Sequence, residues 1–316
     1  MAKVSVIVPV YNAEKTLIRC LGNLVHQTLE DIELILVNDC STDGSLQILL
    51  DCESQFSEKV MVVDLPENLG AGGARNVGLG YASGEYVGFV DSDDIVDSTM
   101  FEKLYSKAIE GNYDIVDCGF LNENNDQAII LTTDECCGDL NDVKRSKLIS
   151  DAGYLVTKLF RRELWNQLEF REHAILEDLE TLMYLILKCE RMGNVKEILY
   201  KYCKVEGSLS KEMDPRKYHK AMMDAFEAIE RIVMPLDNYE EARLAVEYII
   251  INMCKSAMVM AIKEDSFLTR MERDNHIKDI SRILTKKVKT SIMDNHYVKE
   301  RIPDNEIKWL LSQMRR

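Results

Sequence analysis

Short hydrophobic runs alternate with amphipathic stretches over the first hundred residues. The runs at 4–10, 32–37, 60–63 and 86–90 are rich in β-branched residues and predict buried strands. Between them lie three stretches with helical spacing, the last at 71–82 despite its glycines. Strands that alternate with helices in this way predict a mostly parallel sheet with helices on both faces.

After residue 94 the pattern becomes mixed, and after about residue 214 it is helical only. We predict strands at 113–118, 129–132 and 195–203, and helices at about 141–150, 162–168 and 177–192. Four long helical patterns follow at roughly 215–235, 240–263, 267–289 and 303–315. The change in pattern predicts one domain over residues 1–210, with halves 1–100 and 101–210, and a helical C-terminal region over 211–316.

The charge of the chain is acidic and unevenly spread. Its 316 residues carry a formal net charge of −15. Residues 1–100 hold 5 Lys and Arg against 16 Asp and Glu, whereas residues 215–316 hold 19 against 16. Surfaces that bind nucleic acid are basic, so we expect no nucleic-acid partner. An acidic pocket binds phosphates only through a cation, which points to a metal.

Neither a leader nor a membrane span is expected. The N-terminus runs directly into a strand, and the most apolar stretch, residues 244–262, contains Glu247, Asn252 and Lys255. The nine cysteines are an odd number and none has Cys-x-x-Cys spacing. This usage is typical of the reducing cytoplasm, where we expect the protein.

Polar residues stand where each strand of the predicted sheet ends. They are Tyr11 and Asn12, Asn38 and Asp39, residues 68–73, and residues 91–94. Ligands of such sheets bind outside the carboxyl ends of the strands, so we expect these residues to form a site. Asn12 also suits the N-cap of the next helix.

Three carboxylates, on Asp91, Asp93 and Asp94, follow the fourth strand within four residues. Carboxylates this close repel one another unless a cation lies among them, and Mg²⁺ or Mn²⁺ prefers such oxygen ligands. An acidic turn that caps a helix is the alternative. The acidic residues 177, 178 and 180 also have two interpretations, because negative charge stabilises a helix start.

The glycine-rich stretch 70–78 does not have the spacing of a dinucleotide-binding loop. Arg75 stands where the third glycine of that motif would be. Gly70 and Gly72 more readily serve a close backbone turn. Arg75 is placed to meet either a nucleotide or a buried carboxylate.

Taken together, these motifs resemble the inverting family 2 glycosyltransferases, which are nucleotide-sugar enzymes of GT-A fold. The matching segments are Val6-Ile-Val-Pro-Val-Tyr11-Asn12, Val37-Asn-Asp39-Cys-Ser41-Thr-Asp-Gly44, Asn68-Leu-Gly70 with Ala74-Arg75-Asn76-x-Gly78, and Gly84-Glu-Tyr-Val-x-Phe-Val-Asp91-Ser92-Asp93-Asp94. The resemblance continues more loosely through residues 158–161, 177–178 and 202–210. The family usually has Asp-Asp-Gly where this chain has Asn38-Asp39-Cys40, so the second carboxylate is kept.

The resemblance implies a metal-dependent, non-processive transfer of a hexosyl or N-acetylhexosaminyl group from a UDP-sugar to an acceptor hydroxyl, with inversion at the anomeric carbon. The product would belong to cell-surface polysaccharide or glycolipid synthesis, with a glycan or lipid-linked acceptor. Residues 1–100 would bind the nucleotide and residues 101–210 the acceptor. The implied roles are nucleotide binding by Pro9, Val10, Tyr11, Asn12, Asp39, Arg75, Asp91 and Ser92, metal binding (Mn²⁺ or Mg²⁺) by Asp93 and Asp91, and base catalysis by Asp178.

Two other classes of protein remain open. A nucleotidyltransferase would normally carry a glycine-rich loop with a basic residue after the first strand, where Tyr11 and Asn12 stand. A catalytically silent protein that binds sugar nucleotides would explain the fold but not the retained Asp93 and Asp178.

The C-terminal region carries a local basic surplus. Residues 275–316 hold 10 Lys and Arg against 5 Asp and Glu, with Lys286, Lys287 and Lys289 close together. This surplus predicts either a peripheral contact with the inner face of an anionic membrane, or a solvated helix face or a contact in an oligomer.

Overall fold

The structure is a computed structural model that describes residues 2–151, 153–204, 214–263 and 268–314. The chain forms two compact units, residues 1–141 with 151–206, and residues 142–150 with 207–316. The boundary predicted at residue 210, and the loosely matching residues 207–210, lie outside the described residues. One correction concerns residues 142–150, which were expected in the first domain and belong to the helical unit.

The first unit is built on one ten-stranded sheet, in the order β3-β2-β1-β4-β9-β6-β10-β5, with β7 paired to β6 and β8 to β10. The strands are β1 (Val4–Val10), β2 (Ile32–Asn38), β3 (Val60–Asp64), β4 (Tyr86–Phe89), β5 (Ile95–Val96), β6 (Ile115–Asn122), β7 (Gln127–Ile129), β8 (Gly138–Asp139), β9 (Lys158–Arg161) and β10 (Arg191–Tyr202).

The strand directions confirm a mostly parallel sheet. Strands β3, β2, β1 and β4 pair in parallel, and so do β6 and β10. Strand β9 is antiparallel to both β4 and β6, so β6 and β10 point the same way as β1. The chain runs outward from β1 to β3 and then returns to β4 on the other side of β1. Sheets of this kind bind ligands at such a reversal, outside the carboxyl ends of the strands, so a site is expected at the ends of β1 and β4. We call this edge of the sheet the crevice.

Helices flank the sheet and make up the second unit. Within the described ranges the α-helices are α1 (Glu14–Leu24), α2 (Ser45–Gln55), α3 (Gly70–Tyr81), α4 (Met100–Gly111), α5 (Asp142–Ser150), α6 (Glu177–Lys188), α7 (Pro215–Ala228), α8 (Tyr239–Ile262), α9 (Arg270–Lys287), α10 (His296–Arg301) and α11 (Asp304–Met314). A π-helical turn, Ile229–Val233, extends α7. The sequence analysis did not predict α4 or α10, and residues 162–168 form only a 3₁₀ turn, Arg162–Trp165.

Helix α8 is the core of the helical unit. It is long and apolar enough to cross a membrane by length and composition, which corrects the expectation that no stretch qualifies. Half of its most apolar window is buried, and α5, α7, α9 and α10 pack against it. Glu247 in its middle is fully buried and pairs with Arg243 at 2.9 Å. These contacts are typical of the central helix of a helical domain.

The basic surplus of the C-terminal region is smaller at the surface than in the sequence. Lys287 pairs with Glu230 at 2.5 Å, and only 10% of its side chain is exposed. Lys289 remains exposed near Glu240, and Lys286 is also exposed. Two of the three clustered lysines are therefore accessible.

The glycines of α3 differ in what surrounds them, and this difference gives a stability prediction. A Cβ at Gly72 would overlap the carbonyl oxygen of Arg171, whereas one at Gly80 meets nothing within 4 Å. We expect Gly80→Ala to stabilise the protein by about 0.5–1 kcal/mol, because alanine is the better helix former. Gly72→Ala should destabilise it by about 1–3 kcal/mol, because the backbone must shift. Denaturant unfolding measures both, and equal effects of the two variants would contradict the packing described here.

Candidate active site

The carboxyl ends of the central strands are held in register at the crevice. The Asp39 N–H, just beyond β2, donates to the Val10 carbonyl at 2.8 Å. The Val90 N–H, just beyond β4, donates to the Ile7 carbonyl at 3.1 Å. The residues that follow β1, β2 and β4 therefore start from neighbouring points on one edge of the sheet.

The loops after β1 and β2 cap each other. The N–H groups of residues 12, 13 and 14 donate to side-chain oxygens of Ser41, Ser45 and Asp43 respectively. Asn12 does not cap α1, which corrects that expectation. It adopts a left-handed conformation (φ 48°), and its Oδ1 accepts from the Thr42 N–H at 2.8 Å. These cross-links hold the two loops together beside the ends of β1 and β2.

Of the residues expected to border a nucleotide, those at the end of β1 differ in exposure. Pro9 and Val10 are buried within the strand, whereas Tyr11 is 52% exposed at its end. The Ser92 carbonyl accepts from the Thr16 hydroxyl at 3.2 Å. Cys40 adopts φ 59°, the left-handed conformation that glycine adopts without strain. This conformation accounts for the glycine that is usual at this position in the family that the sequence resembles.

Asp39 connects the end of β2 to the glycine-rich turn. Its carboxylate is buried and accepts from the Leu69 N–H at 2.6 Å and from the Asn68 amide at 2.9 Å. Burial raises the pKa of Asp39, and the N–H groups of Leu69 and Gly70 oppose that shift. Gly70 has φ 75°, and a Cβ there would lie 3.0 Å from the His173 Cα. The turn thus needs glycine for its conformation and for a close approach, as predicted.

Arg75 is buried between two carboxylates. Its guanidinium pairs with Asp91 at 2.9 Å and with Glu177 at 2.6 Å, and it lies over the Phe170 ring at 5.6 Å. Burial alone would lower the pKa of Arg75, but the neighbouring carboxylates raise it, so the group stays charged. The sequence left open whether Arg75 meets a nucleotide or a buried carboxylate. In the structure its guanidinium contacts carboxylates. Arg75 thereby fastens the start of α6 to the end of β4.

The three clustered carboxylates point to different partners. Asp94 is buried and bonds the Tyr200 hydroxyl at 2.6 Å and the Cys203 N–H at 2.8 Å. Burial, followed by the charge of Asp91, raises the pKa of Asp94 to about 8. Asp94 therefore ties the β4 loop to the end of β10. This leaves Asp91 and Asp93 as the acidic pair at the crevice.

Asp93 and Asp91 are two neighbouring carboxylates whose charges repel each other at the end of β4. Burial, and next the charge of Asp91, raises the pKa of Asp93, so a bound cation would relieve an electrostatic cost. Within the described part of the chain, no three His, Cys, Asp or Glu side chains are grouped to hold a metal. A cation here would take two protein carboxylates and complete its shell from phosphates or water, as Mg²⁺ does.

The acidic residues that start α6 have three separate environments. Glu177 pairs with Arg75, and Glu180 is buried against Arg171 at 2.5 Å. Asp178 is half-buried between them. Burial and then the charge of Glu177 raise the pKa of Asp178 to about 6, against the opposing effect of Arg75. Leu176, just before the helix, adopts φ 70°, a conformation that costs a branched residue free energy and that clusters at functional sites.

Some residues of the site were missed from the sequence. Tyr200 and Cys203, which hold Asp94, are more than 100 positions away from it and appear in the sequence only as part of an apolar strand. Lys158 and Asp117 form a buried ion pair at 3.2 Å. A lysine between apolar strand residues was the one available signal for that pair.

Comparison with known proteins identifies the family. The model of the family described as "Glycosyl transferase family 2" matches residues 5–164, about half of the chain. GlyG, described as a glycosyltransferase of Streptococcus pneumoniae, is 31% identical over 235 residues, which cover 71% of this chain and 78% of GlyG. The chain belongs to the family 2 glycosyltransferases.

Two further similarities define the fold and the extent of the match. EpsJ of Bacillus subtilis, described as an uncharacterized glycosyltransferase, is 35% identical over 220 residues, or 66% of this chain. The chain spans 62% of EpsJ, about three fifths of its length. The crystal structure of S. aureus TarS residues 1–349 with UDP-GlcNAc has a TM-score of 0.72 at 23% identity and covers 99% of this chain and 92% of that one. The fold is therefore that of the GT-A glycosyltransferases, as the sequence analysis predicted.

Proposed function

We propose that this protein transfers a hexosyl or N-acetylhexosaminyl group from a UDP-sugar to an acceptor hydroxyl, with inversion at the anomeric carbon. The observation that carries the proposal is the pair of contacts made by Arg75. They bring the start of α6, with Asp178, beside Asp91 at the carboxyl end of β4. A nucleotide-binding edge and a carboxylate with a raised pKa thus meet at one crevice, where α/β sheets bind their ligands.

The nucleotide binds at the ends of β1 and β2 in this proposal. Asp39 uses one lone pair of each carboxylate oxygen on Leu69 and Asn68, and a carboxylate oxygen has a second lone pair for the uracil N–H. The exposed ring of Tyr11 lies at the end of the neighbouring strand. The solved structure of TarS, which shares the fold, contains UDP-GlcNAc, and this supports a UDP-sugar as the donor.

A divalent cation, Mn²⁺ or Mg²⁺, would be held by Asp93 with Asp91. When bound, it would neutralise the charge that develops on the diphosphate leaving group. Arg75 is already paired with two carboxylates, so in this proposal the metal is the positive partner of the diphosphate. In the proposed site the metal therefore supplies the positive charge that faces the diphosphate, and Arg75 has a structural role.

Asp178 acts as the base. With a pKa of about 6 it is ionised at neutral pH, yet it is a stronger base than an ordinary aspartate. It accepts the proton of the acceptor hydroxyl as the oxygen attacks the anomeric carbon, and the bond to UDP breaks on the opposite side. One such displacement inverts the anomeric carbon, so an α-linked donor gives a β-linked product.

The proposed acceptor is a glycan or lipid-linked sugar of a cell-surface polysaccharide or glycolipid, handled in the cytoplasm. A contact of the helical unit with the inner membrane face would rest on Lys286 and Lys289, since the Lys287 side chain is only 10% exposed, whereas Lys289 remains exposed although it pairs with Glu240 at 3.5 Å. Two lysines near an anionic surface contribute only about 2 kcal/mol, so such a contact would be weak and sensitive to salt.

Replacing the base separates catalysis from binding. Asp178→Asn keeps the shape of the side chain but cannot take up the proton. We expect it to bind UDP with Mn²⁺ normally and to lose at least about a hundredfold in transfer rate. Glu172→Gln, an exposed carboxylate-to-amide change in the preceding segment, is the matched control. The assay follows UDP release from a panel of UDP-sugars, and transfer by Asp178→Asn close to the wild-type rate would place the base elsewhere.

The raised pKa of Asp178 predicts a pH profile. The base works only when ionised, so kcat/KM should fall as the pH drops below about 6, by about tenfold per unit. An ordinary aspartate would keep its activity about two units lower. The rate is measured from about pH 4.5 to 8 at saturating UDP-sugar and Mn²⁺, with UDP affinity followed in parallel. A rate that stays level down to about pH 5, with donor binding intact, would contradict the assignment.

The different partners of Asp93 and Asp94 predict different effects of the same change. Asp93→Asn should abolish the Mn²⁺-dependent part of UDP binding, because it removes a ligand charge. Asp94→Asn should leave UDP binding within about threefold, because Asp94 faces Tyr200 and Cys203 and is mainly protonated near neutral pH. Titration calorimetry with and without Mn²⁺ measures both. Equal wild-type affinity with and without metal would overturn the metal site.

A further inference from the structure

An exposed tyrosine lies on the acceptor side of the sheet with no part in the proposed chemistry. Tyr154 precedes β9 and is 43% exposed. Its ring stacks on that of Tyr202 at a centroid distance of 6.3 Å and an interplanar angle of 21°. The rings of Tyr154 and Phe120 lie in an edge-to-face arrangement with a centroid distance of 4.9 Å. We call Tyr154, Tyr202 and Phe120 the aromatic shelf.

The strand directions place the aromatic shelf at the same edge of the sheet as the proposed nucleotide site. Tyr202 is the last residue of β10, and Phe120 lies near the end of β6. Both strands run parallel to β1, so their ends lie on the carboxyl edge. In the strand order, β6 and β10 stand on the opposite side of β4 from β1 and β2. The shelf therefore flanks the crevice away from the uracil end.

The aromatic shelf is close to the proposed base. The charge of Asp178 contributes to a raised pKa of the Tyr154 hydroxyl, after burial and Tyr202. Asp94, at the end of β4, also bonds the Cys203 N–H directly after Tyr202. The hydrogen bond from the Cys203 N–H thus joins the end of β10 to the loop after β4, and the effect of Asp178 on the Tyr154 hydroxyl is consistent with that placement.

Buried charges hold the main chain of Tyr154 in place. The Lys158 ammonium donates to the Tyr154 carbonyl at 3.1 Å and pairs with Asp117 at 3.2 Å, and both charged residues are 2% exposed. Asp117 also accepts from the hydroxyls of Thr132 and Thr157, each at 2.7 Å. A buried pair of this kind adds little net stability compared with an apolar pair, so its value lies in fixing geometry. Here the fixed element is the backbone that presents the Tyr154 ring.

The turn before Tyr154 is equally constrained. Gly153 has φ 69°, and a Cβ there would overlap the Leu131 side chain and lie 3.3 Å from the Lys158 ammonium. The position directly before Tyr154 therefore accommodates only glycine. A tyrosine fixed at its main chain and stacked on one side loses little further conformational freedom when a ligand covers it.

We infer that the aromatic shelf is the acceptor subsite, and that Tyr154 stacks against the ring of the acceptor sugar or polyol whose hydroxyl faces Asp178. The hydrogens on the apolar face of such a ring carry partial positive charge, which the negative face of an aromatic ring attracts. The inference rests on the proposed function and adds to it the place and chemistry of acceptor recognition. Tyr154 is thereby a specificity-determining residue that binds the acceptor and takes no part in proton transfer.

The test distinguishes the contribution of the Tyr154 ring from that of its hydroxyl, and effects on acceptor binding from effects on donor binding. A panel of methyl hexopyranosides and ribitol is offered to the full chain with UDP-sugars and Mn²⁺, and the best acceptor is carried forward. Tyr154→Leu keeps an apolar side chain but removes the aromatic face, and Tyr154→Phe keeps the face and removes the hydroxyl. We expect Tyr154→Leu to raise the acceptor KM by about tenfold, equivalent to about 1.4 kcal/mol. Its kcat, UDP affinity and rate of donor hydrolysis should stay within about twofold of wild type.

Each outcome decides the inference. An acceptor KM that rises in Tyr154→Leu and stays near wild type in Tyr154→Phe supports the shelf. An unchanged KM in Tyr154→Leu, or an equal rise in both variants, overturns it while the proposed function stands. Weaker UDP binding in Tyr154→Leu would assign the ring to the donor and also overturn it. A wild-type protein that neither binds nor cleaves any UDP-sugar overturns the proposed function and the shelf together.

Discussion

The contacts of Arg75 with Asp91 and Glu177 are the interaction on which the site depends. The two carboxylates are 86 residues apart in sequence, and each belongs to a different element, the end of β4 and the start of α6. Glu177 could not be buried at this edge without a compensating charge, since an isolated buried carboxylate is costly, and Asp91, whose side chain is 34% exposed, shares the same guanidinium. A guanidinium meets both, because its donors are spread over a planar fork. Asp178 takes its position from this contact, as the residue next to Glu177.

The same ion pairs divide the acidic residues into working and structural groups. Once Arg75 is committed to Asp91 and Glu177, the Asp93 carboxylate is offset by a backbone N–H and by Arg19, whose guanidinium donates to the Asp93 carbonyl at 2.8 Å, and the pKa of Asp93 is still raised. Asp94 avoids the repulsion differently, by burial against Tyr200 with a pKa of about 8. Acidic residues that look alike in the sequence thus have three roles. Asp91 and Glu177 pair with Arg75, Asp93 is a proposed metal ligand, and Asp94 links the loop after β4 to the end of β10. Burial and partner decide between those roles, and residue type does not.

The sequence predicted the parallel half of the fold and the positions of the site loops, because both follow from local patterns. A buried parallel strand is a continuous apolar run, and its end is marked by the first polar residues, as at Asp39 and Asp91. The partners of those residues could not be predicted, because Arg75 and Glu177 are 102 positions apart and Tyr200 and Asp94 are 106 apart. Strand β9 was not predicted, and helix α5 was predicted but expected in the first domain, both for a related reason. Their placement depends on which distant element they pack against, and no periodicity encodes that choice.

The most direct test of this account is the kinetics of Arg75→Lys, which keeps the charge but cannot span both carboxylates. If Arg75 acts as the clamp, kcat for transfer should fall by at least about tenfold, because the base is misplaced. UDP affinity with Mn²⁺ should stay within about twofold of wild type, since the nucleotide is bound by other residues. The reverse result, weakened UDP binding with kcat preserved, would show that Arg75 is a nucleotide ligand and would contradict the account.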